Sequence, residues 1–345
     1  MAELDETRSS FLALYDILKH ELIHDADIKF TEEMRLRVEE ILDYNVPRGK
    51  LNRGLAVIET YKALKGGDEL SEEEFFLVSV PGWCLEWLQA CFLVLDDIMD
   101  NSQTRRGRIC WYRQPKVGLK AVNHGILLKG HTHRILKKYF REKSYYPDLI
   151  ELTEEVGYQT SMGQMLDLII THEGKKDLSK YTIDVYRRIV IYKTSYYTFY
   201  LPVAWAILLS GEKLEKYKGI KEILIEMGVY FQVQDDYLDC FGDPEVAGKV
   251  GTDIEDYKCS WLIVQALELA DDCQKQILYE NYGKSDPTSV TKVKKLYQEL
   301  DIPGKFSKYE AESYEKLLAA IEAQSSAAMQ EILMVLLMKI YLRKK

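Results

Sequence analysis

The residues best suited to chemistry are two sets of aspartates with the same spacing. Asp96, Asp97 and Asp100 form one, and Asp235, Asp236 and Asp239 the other. Each follows an apolar run, residues 92–95 before the first and 229–231, with Gln232-Val233-Gln234, before the second. Residues four apart on a helix share a face with Cβ atoms about 5–6 Å apart, so Asp96 pairs with Asp100 and Asp235 with Asp239. Three like charges in an apolar setting repel one another and lose hydration. A hard cation reverses that sign, because Mg²⁺ takes oxygen ligands, keeps several waters and is held by one or two carboxylates plus substrate phosphates. Two such sets facing each other would trap a diphosphate. One acidic turn is ordinary solvated surface; two copies in matched apolar context point to function. An EF-hand is excluded, since its alternate-position oxygens and glycine are missing.

Other residues supply the positive charge that an anionic substrate needs. Arg105 and Arg106 follow the first aspartate set within residues 102–107, and arginine forks grip phosphate bidentately. Gly49, Lys50 and Arg53 sit at the expected start of a helix, where anions are favoured, although no Walker loop is present. Gln164 and Asp167 interrupt an apolar stretch, and Lys193, Thr194 and Tyr197 have helical spacing in an aromatic-rich one. A diphosphate or a carboxylate would satisfy Lys193, and a buried polar network stays open as the alternative. Lys249 and Lys258 lie in a polar loop after the second set, either closing over phosphate or simply exposed. Gln89, seven residues before Asp96, falls within about 20° of it on a helix.

The elements that must position these residues read as helices. Helix-period patterns cover 9–24, 31–43, 53–64, 71–100, 121–140, 146–171, 182–210, 217–239, 260–281, 289–299 and 310–342, with Pro81 and Pro202 as expected kinks. Alternating strand patterns are hard to find. Ser71 and Glu74 make a capping box, and turn chemistry breaks the chain near residues 46–49, 65–68, 174–177, 242–244 and 301–304. No linker divides the 345 residues, so the expectation is one all-α domain, residues 1–345, of about ten or more helices around a shared interior. A net charge of −9 without a basic stripe argues against nucleic acid as a partner. The six cysteines have no metal or disulfide spacing and read as reduced thiols. The histidines form no zinc set, with His131 and His133 read as surface or satisfied core. The acidic N-terminus and the short apolar stretch 332–338 suggest no signal segment and no membrane span, hence a cytoplasmic protein.

In combination, Asp96–Asp100 with residues 104–107, Gly49-Lys50 with Arg53, Gly163-Gln164 with Asp167, Lys193-Thr194, and Phe231-Gln232 with Asp235–Asp239 resemble trans-isoprenyl diphosphate synthases. The likeness runs from about Tyr44 to the C-terminus and is closest to the eukaryotic, plant-like farnesyl diphosphate synthases. It implies the isoprenoid synthase fold, a homodimer, and three Mg²⁺ ions, with Mn²⁺ as a possible substitute. The implied reaction joins isopentenyl diphosphate head to tail with dimethylallyl, then geranyl, diphosphate. By position, Asp96, Asp97, Asp100, Asp167, Asp235, Asp236 and Asp239 belong to the metal set, Asp97 mainly in support. Arg105, Lys193 and Lys258 would bind the allylic diphosphate, with Gln164 and Lys249 as further substrate contacts. Gly49, Lys50, Arg53, Gln89 and Arg106 would bind isopentenyl diphosphate, and Lys193, Thr194 and Gln232 would stabilise the allylic cation.

Several positions depart from that pattern. Cys91 and Phe92 stand where two adjacent aromatics usually set chain length, so a geranylgeranyl product is the alternative to farnesyl. Cys91 lies about 140° from Asp96 and only borders its stripe. Arg48 replaces a usual glycine, His124 an aspartate, and Leu342 a lysine of the basic tail. Rival readings are a terpene synthase, an irregular coupling enzyme, and a non-catalytic regulatory subunit. Terpene synthases have no need of Gly49-Lys50 with Arg53, and the other two commonly alter the aspartates that are intact here.

Overall fold

The computed structural model describes residues 2–171, 177–243, 251–341 and 343. Its helices are α1 (Ala2–Ala13), α2 (Tyr15–Ile23), α3 (Glu32–Asn45), α4 (Asn52–Leu64), α5 (Glu72–Met99), α6 (Ala121–Phe140), α7 (Tyr146–Thr171), α8 (Ile183–Val190), α9 (Leu201–Leu209), α10 (Ile220–Phe241), α11 (Trp261–Leu269), α12 (Asp272–Asn281), α13 (Pro287–Glu299), α14 (Ile302–Glu322) and α15 (Ala327–Ile340). The only sheet among the described residues is a hairpin of β1 (Thr104–Arg105) and β2 (Arg108–Ile109). The all-α expectation holds. Residues 1–155 with 201–218 form one compact unit, and residues 156–200 with 219–345 a second.

In the first unit α5 packs on α4, α6 and α9. Its start is fixed by the expected capping box, in which Ser71 accepts from the Glu74 amide and Glu74 from the Ser71 amide. Pro81 lies inside the helix without ending it. Trp83, Trp87 and Trp205 are fully buried in this unit. Gly54 and Gly82 let α4 and α5 meet backbone to backbone, since a Cβ on Gly54 would come 2.9 Å from the Gly82 carbonyl oxygen. The N-terminal helix joins this core: Phe11 stacks on Trp83 at 4.5 Å and its carbonyl accepts from the Trp83 indole at 3.0 Å. By length and composition α5 is apolar enough to cross a membrane, but 83% of its most apolar window is buried in the fold. Its hydropathy is that of a core helix.

In the second unit α10 packs against α8, α11, α14 and the segment Ile191–Tyr200. That segment is a π-helix rather than the α-helix its sequence period suggests. π-Helical turns are rare and cluster at functional sites. Here Lys193 and Thr194 lie in one, with the Ser195 hydroxyl directed at the Val190 carbonyl five residues earlier. Two glycines admit the widened turn. A Cβ on Gly163 would run into the Lys193 backbone, and one on Gly228 into the buried Ser195 side chain.

Several expected boundaries differ from the structure, and the pattern over 9–24 is split at Leu14 into α1 and α2. The pattern over 260–281 is broken at Ala270-Asp271, where Asp271 and Gln274 form a second capping box. Residues 301–304, read as a turn, instead open α14: Asp301 caps the Gly304 amide and Pro303 occupies the first turn, where a missing N–H costs nothing. The same long C-terminal pattern is interrupted before α15 by Ser326, which caps the Met329 amide.

Gly228→Ala should force Ser195 and the π-helix away from α10. Overpacking of this kind costs about 1–3 kcal/mol, to be read from urea unfolding; an unchanged midpoint would refute the close-packing account.

Candidate active site

In the first unit the end of α5 and the hairpin after it bring the first aspartate set to its arginine. The turn residues Arg106 and Gly107 both have positive φ, at 53° and 72°. A two-residue turn with that conformation matches the twist of its strands, and it folds Arg105 back onto α5. The Arg105 guanidinium donates to Asp97 Oδ1 through Nε at 2.9 Å and Nη2 at 2.6 Å, and to Asp96 Oδ2 at 3.1 Å. Asp97 is 3% exposed, whereas Asp96 and Asp100 keep contact with solvent. Burial pushes the Asp97 carboxyl up, and Arg105 offsets part of that push.

Arg106 leaves the hairpin in the other direction. Its Nη1 donates to the Asn45 carbonyl at 3.4 Å, and a Cβ on Gly49 would come within 2.7 Å of its Nη2. Glycine at 49 is therefore what lets Arg106 approach the Gly49-Lys50 turn. A cavity of about 40 Å³ here is lined by Arg48, Arg105, Arg106 and Arg108 with Tyr44 and Asp97. Arg48 donates to the Asp43 carbonyl at 3.2 Å, so its side chain is turned to the end of α3.

One residue of this region was missed from the sequence. Glu86, 2% exposed, accepts from the Gly54 amide at 2.9 Å, and burial pushes its carboxyl up against the pull of Arg53 and Arg106. It is one turn from Gln89, which is also buried. Its signal was available: a single acid inside the apolar stretch of α5 must have a partner.

Beneath the first aspartate set, Phe92 is half-buried and Cys91 is buried. The Cys91 thiol lies against the Lys129 backbone of α6, and its pKa is pushed up to about 11 by burial. It is a packing residue of the α5–α6 contact. His124 accepts from the Trp111 indole at 3.0 Å, which gives that substitution a structural role.

The second unit repeats the burial pattern with different chemistry. Asp236 is 5% exposed, between the more accessible Asp235 and Asp239. Its carboxylate accepts from Gln232 Nε2 at 2.9 Å and from the Trp261 backbone amide at 2.8 Å. Burial drives its pKa well above the ordinary carboxylate range despite those bonds. Gln232 Oε1 in turn accepts from the Thr194 hydroxyl at 3.3 Å. Arg343 of the tail lies 3.9 Å over the Phe231 ring, donates to the Phe231 carbonyl at 3.0 Å and to Gln234 at 3.2 Å, and is 3.5 Å from Asp235.

Asp167, placed with the metal set by resemblance, sits between two lysines. Its Oδ2 accepts from Lys193 Nζ at 2.7 Å and from Lys258 Nζ at 3.2 Å. Burial opposes its ionisation, but the two ammonium groups outweigh that and hold its carboxyl well below the usual range. The Gln164 amide nitrogen, one turn away, is buried and has no hydrogen-bond partner among the described residues. The structure thus gathers Gln164, Asp167, Lys193, Thr194, Gln232, Asp236 and Lys258 in the second unit. In the first it gathers Gly49 with Arg106, and Asp96 and Asp97 with Arg105. Lys249 and Leu342 lie outside the described residues. Among the described residues no three His, Cys, Asp or Glu side chains converge tightly enough to enclose an ion alone.

A family model for polyprenyl synthetase matches residues 36–300. Farnesyl pyrophosphate synthase 1 of Lupinus albus is 61% identical over 345 residues, 100% of both chains. The farnesyl pyrophosphate synthase of Zea mays is 61% identical over 340 residues, covering 99% of this chain and 97% of that one. Among solved structures, T. brucei farnesyl diphosphate synthase complexed with risedronate matches with a TM-score of 0.91 and 36% identity. It covers 98% of this chain and 100% of that one. The likeness therefore includes the N-terminal helices as well as the part from Tyr44 onward.

Asp167→Asn leaves two partly buried ammonium groups without their carboxylate, and should cost about 3 kcal/mol at neutral pH. Because the folded-state pKa of Asp167 is depressed, its contribution is complete above about pH 4 and is lost as pH falls below that. Urea unfolding of both proteins across that range should show the difference shrinking with acid; a pH-independent difference would contradict the ion pairs.

Proposed function

This chain belongs to the polyprenyl synthetase family, and on that premise we propose that it makes farnesyl diphosphate by two head-to-tail condensations. Isopentenyl diphosphate adds first to dimethylallyl and then to geranyl diphosphate. The observation that carries the reading is the pair of intact aspartate sets, each with its middle carboxylate buried and fixed by a partner of its own. Relatives 60–61% identical over the whole chain support the same product.

Asp96, Asp100, Asp235 and Asp239 offer their carboxylates to Mg²⁺, while Asp97 and Asp236 act mainly by holding each helix turn in register. The fit is one of donor chemistry. Every group is an oxygen ligand, and sets too open to enclose an ion suit one whose shell is completed by water and phosphate. Bound there, the metal would neutralise the diphosphate leaving group. Lys193 and Lys258 supply positive charge for the allylic diphosphate, and the buried Gln164 amide a further donor. Breaking the allylic C–O bond leaves a carbocation. Thr194 and Gln232 present oxygen dipoles to that charge, and their mutual hydrogen bond fixes the orientation in advance. Gly49, Lys50, Arg53, Gln89 and Arg106 hold isopentenyl diphosphate, with Glu86 positioning the Gly54 amide. The alkene forms the new C–C bond, and the departing diphosphate oxygens accept the proton lost from carbon 2. No histidine base is required.

Product length follows from the site of Cys91, whose thiol is spent on the α5–α6 contact while Phe92 stays on the aspartate stripe. Assembly as a homodimer is supported by exposed apolar stripes: Leu119, Val122 and Ile126 in the first unit, and Met162, Met165 and Ile169 at helical spacing in the second. Six free cysteines suit a reducing compartment such as the cytoplasm, although one relative is named as mitochondrial.

With isopentenyl and dimethylallyl diphosphates, chromatography of dephosphorylated products should show farnesol and no geranylgeraniol. Asp96→Ala and Asp235→Ala should each lower turnover by about a hundredfold or more with folding retained. Full activity in both, or hydrocarbon release from farnesyl diphosphate alone, would overturn the reading. Ile126→Glu should shift the sedimentation coefficient from dimer to monomer, and an unchanged dimer would remove that face from the interface.

A further inference from the structure

The second unit contains a cavity that none of this chemistry uses. It measures about 340 Å³, opens to solvent and is lined by α8, α10, α11 and α14. That is within the lower range of small-molecule sites. Val229 and Val233 form its floor on α10. On a helix at about 100° per residue, Asp236 is one turn from Val233 on the same side, whereas Asp235 and Asp239 project elsewhere. The cavity therefore lies on the Asp236 side of α10, away from the two accessible carboxylates.

Its walls have two characters. Tyr186, Trp261 and Tyr309 supply aromatic surface, with the Trp261 and Tyr309 ring centroids 5.4 Å apart. Lys305 and Lys308, one turn apart on α14, add positive charge at the rim, which Glu312 also lines. Each has an acid neighbour, but at lengths too great for a formed charge-assisted bond: 3.9 Å from Lys305 to Glu268 and 3.7 Å from Lys308 to Glu312. Arg187, the third cation, is paired with Glu226. An apolar aromatic interior with two ammonium groups at its edge, neither held in a short ion pair, suits an apolar chain ending in an anionic head.

One wall is also part of the second aspartate set. The Trp261 backbone amide that holds Asp236 at 2.8 Å belongs to the residue whose ring lines the cavity. A molecule that displaces Trp261 together with its backbone would shift the amide that holds the buried carboxylate.

We propose that this cavity is a second binding site, for a single-chain apolar molecule with a phosphate or carboxylate head, and that its occupancy is felt at the second aspartate set through Trp261. The coupling half rests on the function proposed above; the binding half does not. Decyl phosphate, decanoate and decanol serve as probes, titrated into the full-length protein by calorimetry with saturating Mg²⁺ and inorganic diphosphate present. Saturable binding of decyl phosphate or decanoate is expected, with decanol at least about tenfold weaker, since two charge-assisted contacts are lost. The double variant Lys305→Glu/Lys308→Glu should weaken the anionic probe by a similar factor, and Asp96→Ala should leave binding intact. The better of the two anionic probes identifies the head group. Absence of saturable binding, equal binding of decanol, or insensitivity to the double variant would overturn the site. For the coupling, the bound probe should shift the Mg²⁺ concentration giving half-maximal turnover by about threefold or more in the wild type but not in the double variant. Binding without that shift overturns the coupling alone, and binding to a protein that has no turnover at all marks failure of the proposed function instead.

Discussion

The structure depends on how carboxylates are kept together in an apolar helix. Each aspartate set places three acids within two turns, where their repulsion and lost hydration oppose folding. Both units answer by burying the middle carboxylate and giving it fixed donors. Asp97 takes two bonds from Arg105, and Asp236 takes one from Gln232 and one from the Trp261 amide. The outer carboxylates are left accessible on a turn that can no longer reorient. Much of the nearby architecture follows from supplying these donors. The hairpin exists where Arg105 must turn back, and α11 starts where its first amide reaches Asp236.

Close backbone approach does the rest of the positioning. Gly163 and Gly228 admit the π-helix from two sides, and Gly49 admits the Arg106 guanidinium. A π-turn alters the direction of the side chains it carries, so Lys193 reaches Asp167 while Thr194, the next residue, reaches Gln232 on α10. Stability is given up locally for this, since a wide turn packs poorly and glycine adds flexibility to the unfolded chain. The aromatic sequence of the segment offsets part of it: Tyr192 stacks with Tyr196, and Lys221 lies over both Tyr196 and Tyr200.

What the sequence reveals divides along the same physical lines. Helical periodicity locates α5, α6 and α7 within a residue or two, because long amphipathic elements repeat their signal. The spacing of Asp96 with Asp100 and of Asp235 with Asp239 shows which acids share a face. The π-helix is invisible to that reading, because its cause is a pair of glycines far away in the chain. Pro303-Gly304 reads as a turn and begins a helix, since proline suits a first turn as well as a break. Glu86 is legible in principle, because a single acid in the apolar stretch that also holds Gln89 has the greater need of a partner. For Lys193 the sequence shows the need of an anionic partner, a diphosphate or a carboxylate, but not that Asp167 meets both it and Lys258.

The two aspartate sets hold their middle carboxylates by different means. In the first, three carboxylates are offset by the full positive charge of Arg105, which contacts two of them. In the second, the donors that hold Asp236 are neutral and Arg343 lies 3.5 Å from Asp235, while burial pushes the middle carboxyl up in both sets. The consequence differs, however. An arginine remains charged at every accessible pH, so the first set keeps its character. The neutral donors of Asp236 are instead held by local packing, so the second set responds to whatever changes the surroundings of Asp236. Its hydrogen bond to Trp261 makes the packing around that indole part of those surroundings.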